Sequence, residues 1–519
     1  MTSDDSAIGE RPWWERRAFV AALVAIAVVP LLYPPVPPLV DLFGHIGRYR
    51  VELDLGSSRW LGQFYTFRWS AIGNLGVDLL IIPLSKLFGL EVAVKLIVAV
   101  MPAMTVAGLL WVAREVHHRL PPTALFALPF AFGYPFLFGF ANFTLAMAFA
   151  LLAFGLWLRL ARQDRDWLRG LLFVPISVLL FFTHAFGWGM LGLLCFSAEA
   201  VRIHDRGTRW FKAGLVAAAH ASVMALPVVF MLAWRGGTSR QLTFGWFEWS
   251  RKWEWIYSAL RDRWQLFDVA SLVVIGLVFL FALADRRLTL SRNLLFSAFV
   301  LLAAFLVLPW TIFGSAYADM RIVPYLMAIA VLAIRFRGDT DRRLGAVLAG
   351  IGLVLFVTRI AGTTISLGLA ADDQQAKLQA LDHVPMGARL LTLVGQPCIK
   401  PWALPRNSHL GSMAIVRRHA FSNDQWAIEG ANLLGVKYRK AQAFMADPSQ
   451  MVRPEHCPAS RMRTVDSAIA AIPHDAFDYF WAIELPPHAP DSLRGMIPVW
   501  RGAGSTLYRV QKQEGEISR

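Results

Sequence analysis

The sequence predicts a polytopic α-helical membrane protein of about eleven spans, followed by a soluble α/β domain. Three observations carry this expectation. The chain has 519 residues, 56% of them hydrophobic, with a mean hydropathy of +0.47, too apolar for one water-soluble domain. Apolar stretches near the length needed to cross a bilayer recur from residue 18 to about residue 368. Beyond that point the pattern turns mixed, charged and globular.

The first element is a tail, 1–17, reading MTSDDSAIGERPWWERR. It lacks the short apolar core and small-residue cleavage site of a signal peptide. Arg11, Arg16 and Arg17 are expected to hold it in the cytoplasm while 19–32 crosses. The formal net charge of +15 would point to nucleic acid in a soluble chain. Here Lys and Arg gather in short loops between apolar segments, so the positive-inside rule accounts for the charge and no nucleic-acid partner is expected. Those loops are 114–119 (REVHHR), 159–169 (RLARQDRDWLR), 202–212 (RIHDRGTRWFK), 285–292 (DRRLTLSR) and 335–343 (RFRGDTDRR). With all five cytoplasmic, spans fall at 18–33, 93–113, 122–138, 143–160, 170–184, 187–203, 212–234, 268–285, 293–313, 321–337 and 343–367, and the C-terminal domain lies outside. The stretch 75–90 (LGVDLLIIPLSKLFGL) is apolar enough to cross, but a crossing there would invert every later loop. It carries Asp78, Pro83 and Lys86 and reads as interfacial or re-entrant.

The segments left on the outer face hold the candidate chemistry, because polar groups at membrane depth are costly and usually have a role. The first is a large loop, 34–92. Its Pro-rich start, 34–38, ends the first span, since proline donates no N–H and restricts the residue before it. Asp41, His45 and Arg48 follow at spacings of four and three, on one face of a short helix at the bilayer surface. An acid, an imidazole and a guanidinium there suit a phosphate, a metal or an attacking hydroxyl; the alternative is a solvated juxtamembrane helix. If a divalent metal takes part, Asp41, His45, Glu52 and Asp54 are the nearby ligands, though their spacing matches no standard site.

Three more positions stand out. The loop 235–267 contains five tryptophans among scattered Arg and Lys, the composition of an interfacial segment. It reads as an anchor, or as a lid over a lipid-linked substrate whose phosphate meets Arg240, Arg251 or Lys252. His184, in FFTHAFGWG, lies where two short apolar segments meet, as a hydrogen-bonded structural residue or as part of a site. Asp319 and Arg321, in YADMRIVPY, begin a span. Two residues apart on a helix they do not face each other, so each would act with partners from other loops. Arginine suits bidentate phosphate binding; the alternative for both is an interfacial anchor.

The order of these parts resembles the GT-C superfamily of polyprenyl-phosphate-sugar-dependent membrane glycosyltransferases. The shared pattern is a cytoplasmic N-terminus, one span, a large outer loop with an acidic residue soon after that span (VDLFGHIGR), an apolar segment running into Leu-Phe-Gly (PLSKLFGL), then many spans. The resemblance covers most of 18–368 and is one of pattern. The chain departs from it in having no Asp-x-Asp or Asp-Glu pair in the first loop, and no Glu-Lys-Pro-Pro-Leu-type element as in the aminoarabinose and mannose transferase branches. The resemblance implies a GT-C-like transmembrane domain over 18–368 and makes Asp41 the base or acceptor-orienting acid. Sugar transfer to a hydroxyl needs such a carboxylate, and cations to stabilise the departing lipid phosphate. His45, Arg48, His184, Arg240, Arg251, Lys252 and Arg321 are the candidates for the second task, with Asp319 in support.

The last element, 369–519, has strand-like runs at 389–394, 478–484 and 505–511, with helical stretches such as 423–434 and 464–471 between them, which predicts an α/β domain. It shows no glycine-rich phosphate loop, nucleophile elbow or clustered metal ligands, and is expected to stabilise the outer face or guide the acceptor. Cys195 lies in a span without a partner. Cys398 and Cys457 share a domain expected in an oxidising compartment, so a Cys398–Cys457 disulfide is expected. The whole reads as a bacterial inner-membrane protein that moves a sugar from a polyprenyl-phosphate donor to a glycan, lipid or protein acceptor on the outer face. Membrane lipids are further partners; no cofactor is indicated with certainty, and a divalent metal ion is left open. The alternatives are a transporter or flippase for a lipid-linked or anionic solute, or a non-catalytic assembly protein for envelope polysaccharide.

Overall fold

The computed structural model describes residues 11–236, 243–427, 432–458 and 462–512. Six helices are long and apolar enough to cross a membrane: Leu90–His117, Ala141–Arg162, Asp166–Thr183, Ala185–Asp205, Gln265–Ala284 and Arg342–His383. The pair Trp210–Met224 and Pro227–Trp234, bent by 69°, makes a seventh if it is one span. The other four expected spans are shorter apolar helices, Arg17–Leu31, Pro122–Phe138, Arg292–Val307 and Met320–Leu332. Length and composition therefore support six or seven crossings among the described residues, against the eleven expected. Proline shortens two of the four. Pro30 falls in the last turn of the first, and Pro129 lies inside the second, much of which is 3-10 helix. Large apolar side chains such as Leu171, Leu179, Val229, Leu280, Phe299 and Val354 stand exposed on these helices, as lipid-facing surfaces require. The stretch 75–90 forms the 13-residue helix Gly76–Phe88, separated from Leu90–His117 by Gly89 at φ +78°.

All five basic loops meet at one end of the bundle. Arg162 pairs with Glu115 at 2.6 Å, Arg206 with Asp164 at 3.0 Å and Arg292 with Asp205 at 2.8 Å. Leu288–Leu290 and Ile334–Phe336 form an antiparallel ribbon, and Arg119 Nη2 donates to the Gly338 carbonyl at 3.1 Å, which closes the ring.

From that end the helix Arg342–Leu378 rises through the bundle. It starts where the Asp341 carboxylate accepts the N–H groups of Arg343 and Leu344, a side-chain N-cap. It leads into a six-stranded sheet with the order Arg463–Thr464, Met451–Arg453, Leu390–Gly395, Tyr479–Ile483, Ser505–Val510, Met496–Gly502. The first four run parallel and the last two antiparallel. Leu390 pairs with Tyr479, and Ser505 with Ile483. The central strand, LLTLVG, is buried over its first five residues, as a run apolar on both faces should be. The stretch 464–471 contains the helix Val465–Ala470. The expected helix over 423–434 is not formed in its described part. The Asn423 amide bonds both backbone groups of Thr392 and Leu434 opens the strand Leu434–Val436. Polar side chains that bond distant backbone compete with helix formation.

The loop 34–92 is stitched to this sheet domain. Tyr65–Phe67 pairs antiparallel with Leu434–Val436. Arg406 Nη1 donates to the Pro38 carbonyl at 2.7 Å, Gln425 Nε2 to the Gly44 carbonyl at 3.0 Å, and Arg417 grips the Glu91 carboxylate through two nitrogens. Cys398 and Cys457 form a disulfide, with Cα atoms 5.2 Å apart, and Cys195 is buried and free.

Candidate active site

Asp41 sits at the junction of bundle and sheet domain. The proline-broken run 34–40 delivers it to the start of the helix Leu42–Asp54. Its N–H donates to the Phe138 carbonyl at 2.9 Å. Gly139 makes that approach possible: its φ is +98°, and a Cβ there would lie 2.8 Å from Asp41 N. Asp41 makes no side-chain capping bond to its helix, so its carboxylate is free for other partners. It also keeps 14% of its side chain exposed, enough for a reactant to reach it.

The partner that faces it comes from the sheet domain. His409 Nε2 lies 3.8 Å from Asp41 Oδ1 and 3.9 Å from Asp447 Oδ1. Its Nδ1 is 2.9 Å from the Asp424 carbonyl, so the Nδ1–H donates there and Nε2 is turned toward the two carboxylates. Asp424 is fixed by the N–H and hydroxyl of Ser412 and the hydroxyl of Ser422. Asp447 accepts from Gln450 Nε2 at 2.8 Å. Burial pushes the Asp41 carboxyl up to about 7, with Asp447 adding to the rise and His409 and Arg321 opposing it. Burial alone would lower the His409 imidazole, but Asp447, Asp41 and Asp424 hold it above its ordinary value. The pair is thus a carboxyl raised to about 7 beside an imidazole held above its ordinary value by the surrounding carboxylates.

Arg321 is the cation on the bundle side. Its Nη2 donates to Ser315 Oγ at 3.0 Å and to the Ala316 carbonyl at 3.2 Å. The guanidinium lies 4.3 Å over the Phe140 ring and 3.5 Å from His184 Nε2. Its Nε is buried without a hydrogen-bond partner. A weakly hydrated guanidinium with a donor to spare suits an incoming anion. Asp319 does not face Arg321. It accepts from Trp255 Nε1 at 3.1 Å and from Lys252 Nζ at 3.3 Å, and so fixes the turn that carries Arg321.

Other expected site residues lie elsewhere. His45 packs against Trp426, ring centroids 5.0 Å apart, with Nδ1 buried and unpartnered. Trp426 also contacts His409 at 4.5 Å, so one indole links the two imidazoles. Arg48 pairs through Nη2 with Asp78, at 2.9 Å and nearly fully buried, and Asp78 also accepts from Asn142; Arg48 Nε and Nη1 are buried without a hydrogen-bond partner. Lys252 is likewise committed, donating to the Phe305 and Leu308 carbonyls at 2.7 and 2.9 Å. Arg251 pairs with Glu248 at 2.9 Å and stacks on Trp310. Arg240 lies outside the described residues. The four expected metal ligands do not converge. Asp54 turns to Arg50 and His419, and Glu52 keeps both oxygens buried and unpartnered, its carboxyl pushed up to about 9 by burial. Among the described residues only Cys398, His456 and Cys457 bring three ligand atoms together, and both cysteines are already in the disulfide.

Sequence reasoning missed His409, Asp424, Asp447 and Trp426. The signal was available as a polar cluster, PRNSHLGS and FSNDQW, between apolar runs. It carries no metal or nucleophile spacing, and only the fold brings it to Asp41.

No protein family and no curated protein matches the sequence. Among solved structures the chain is similar to ArnT from Cupriavidus metallidurans in the apo state, at 13% identity over 95% of this chain and 97% of that one, with a TM-score of 0.48. It is similar also to that protein bound to undecaprenyl phosphate, at 13% identity over 95% of this chain and 98% of that one, with a TM-score of 0.46. ArnT is a GT-C glycosyltransferase.

Proposed function

We propose that this protein transfers a sugar from a polyprenyl-phosphate donor to the hydroxyl of a glycan, lipid or protein acceptor, at the outer face of a bacterial inner membrane. The observation that carries the reading is the reachable Asp41 carboxylate, poised near neutrality, with His409 on one side and Arg321 close enough to lower its pKa. A base is most effective when its pKa is near the working pH. In the proposed reaction the acceptor oxygen attacks the anomeric carbon and its proton passes to Asp41. The bond from that carbon to the phosphate oxygen breaks, and polyprenyl phosphate leaves with the electron pair. Arg321 meets the charge gathering on the phosphate, and His409 orients the Asp41 carboxylate and balances its charge. Among the described residues the side chains around Asp41 are not grouped as a three-ligand metal set, and each of these steps is carried by the side chains named.

The placing of this chemistry follows from charge. The five basic loops share one end of the bundle, and the positive-inside rule assigns that end to the cytoplasm. On this reading the tail 1–17 is cytoplasmic, 18–368 is the transmembrane domain, and 369–519 with the loop 34–92 faces the periplasm.

Incubating the purified chain with a panel of polyprenyl-phosphate monosaccharides tests the donor class. The expected result is release of polyprenyl phosphate from at least one of them and none from nucleotide sugars. Turnover of nucleotide sugars alone would overturn the reading.

A further inference from the structure

A second charged cavity, of about 410 Å³, lies far from Asp41, between the helix Arg17–Ile26 and the last turns of Leu90–His117. The two sites are separated by most of one long helix. Glu91, at its start, is held by Arg417 of the sheet domain, and Arg114, which lines the cavity, comes 23 residues later, about 35 Å along the axis. That is the thickness of a bilayer's hydrocarbon core and part of its headgroup layer.

The cavity has two kinds of wall. Its lining combines Arg11, Arg17, Arg114 and Arg119 with Val20, Val24 and Leu110. Trp111 joins them, its Nε1 donating to Glu115 at 3.1 Å, in the place an interfacial indole prefers. Among the described residues the only acid in the lining is Glu15. Burial pushes its carboxyl up against the pull of Arg119, Arg11 and Arg114, which weakens its opposition to an incoming anion. The helix Arg17–Ile26 begins here with no side chain on its first N–H groups, so its positive end adds to the field. The neighbouring basic loops neutralise their arginines on acids, as Arg162 does on Glu115 and Arg206 on Asp164. Among the described residues this cavity sets four arginines, with His118 beside them, against one carboxyl, and Arg119 also donates to the Gly338 carbonyl. Free phosphate would use the arginines and leave the apolar wall wet; a phosphate carrying acyl chains uses both.

We propose that this cavity binds the headgroup of an anionic phospholipid in the leaflet opposite Asp41, with the phosphodiester among Arg17, Arg114 and Arg119 and an acyl chain along Val20, Val24 and Leu110. The site stands on its own lining and does not depend on the sugar-transfer reading. Its occupant braces the first helix against the end of Leu90–His117, as a lipid wedge between two helices.

Native mass spectrometry of the full chain, purified in detergent and given equal amounts of phosphatidylglycerol and phosphatidylcholine, tests the proposal. The wild type is expected to retain phosphatidylglycerol in preference. Arg114→Gln with Arg119→Gln should weaken that retention roughly tenfold or more, since each surface arginine contributes about one kcal/mol toward anionic lipid. Arg206→Gln, at the same end but outside the cavity, should retain it as the wild type does. Equal retention of both lipids, unchanged retention in the double variant, or equal loss in Arg206→Gln would overturn the site. Displacement of the lipid by inorganic phosphate alone would overturn the lipid assignment. If the double variant does not fold, Arg114→Gln alone gives the same comparison, because that side chain points into the cavity from an exposed turn.

Discussion

Asp41 and His409 tune one another, and the sign of that coupling is measurable. A base must be unprotonated to act, so turnover should fall on the acid side of about pH 7, the value to which burial pushes Asp41, and reach a plateau above it. His409 opposes that rise. Replacing it with Gln removes the opposing charge, so Asp41 should titrate higher still and the acid limb of the pH–rate profile should move to higher pH. A His409→Gln profile with the limb unmoved or moved to lower pH would show that the two groups do not interact as the geometry implies. At this scale the sequence disclosed half of the pair. Asp41 was legible because a proline run ends a span immediately before it, leaving an acid at the bilayer surface. His409 was not, because an imidazole between Ser408 and Leu410 carries no local pattern; its meaning comes from Asp41, a neighbour only after folding. For Arg48 the ion pair was the hidden part. Its spacing on the helix was right, but Asp78, on a segment with its own apolar pattern, claims it.

Among the elements, the helix Leu42–Asp54 decides how the site is assembled. Gly44 and Gly47, three apart, share the face that meets the sheet domain. A Cβ at Gly44 would lie 2.6 Å from the Trp426 ring, and one at Gly47 2.7 Å from Gln425 Nε2. Gly44→Ala must therefore push back the indole that packs on both His45 and His409. We expect a loss of about 1–3 kcal/mol from overpacking, read as a lower thermal midpoint, with a fall in turnover as His409 shifts. An Ala variant as stable and active as the wild type would mean that the docking is looser than these contacts imply. Element types were largely readable. The runs at 389–394 and 478–484 form strands whose apolar residues are buried inside the sheet, and 505–511 forms one with alternating burial. The failure at 423–434 is informative: Asn423, Asp424 and Gln425 spend their side chains on Thr392, Ser412 and Gly44. A helix period drawn through them ignored what polar side chains do in a buried junction.

At the scale of the whole molecule, the ring of basic loops and the sheet domain occupy opposite ends of a helical bundle, and the proposed membrane sidedness rests on charge. Single cysteines placed in 335–343 should resist a membrane-impermeant thiol reagent added to intact cells, while ones placed at the exposed positions 382, 383 and 386 should react. Labelling of 335–343 from outside would invert the assignment, since these loops contact one another and move across together. Charge patterning made this arrangement legible, and the helix lengths left the crossing count open, because four apolar segments are too short to be counted by length alone. The joining of the loop 34–92 to the last third of the chain was invisible, as strand pairing between Tyr65–Phe67 and Leu434–Val436 has no signature in either segment. The central claim is that Asp41 is the base of a site built from both ends of the chain. It is tested most directly by comparing wild type and Asp41→Asn, each as full chain in lipid nanodiscs, for release of polyprenyl phosphate from the donor that the wild type uses. The account predicts a loss of roughly 10²–10⁴-fold, the usual contribution of a general base, with an undiminished thermal midpoint. Near-normal turnover by the Asn variant would contradict it.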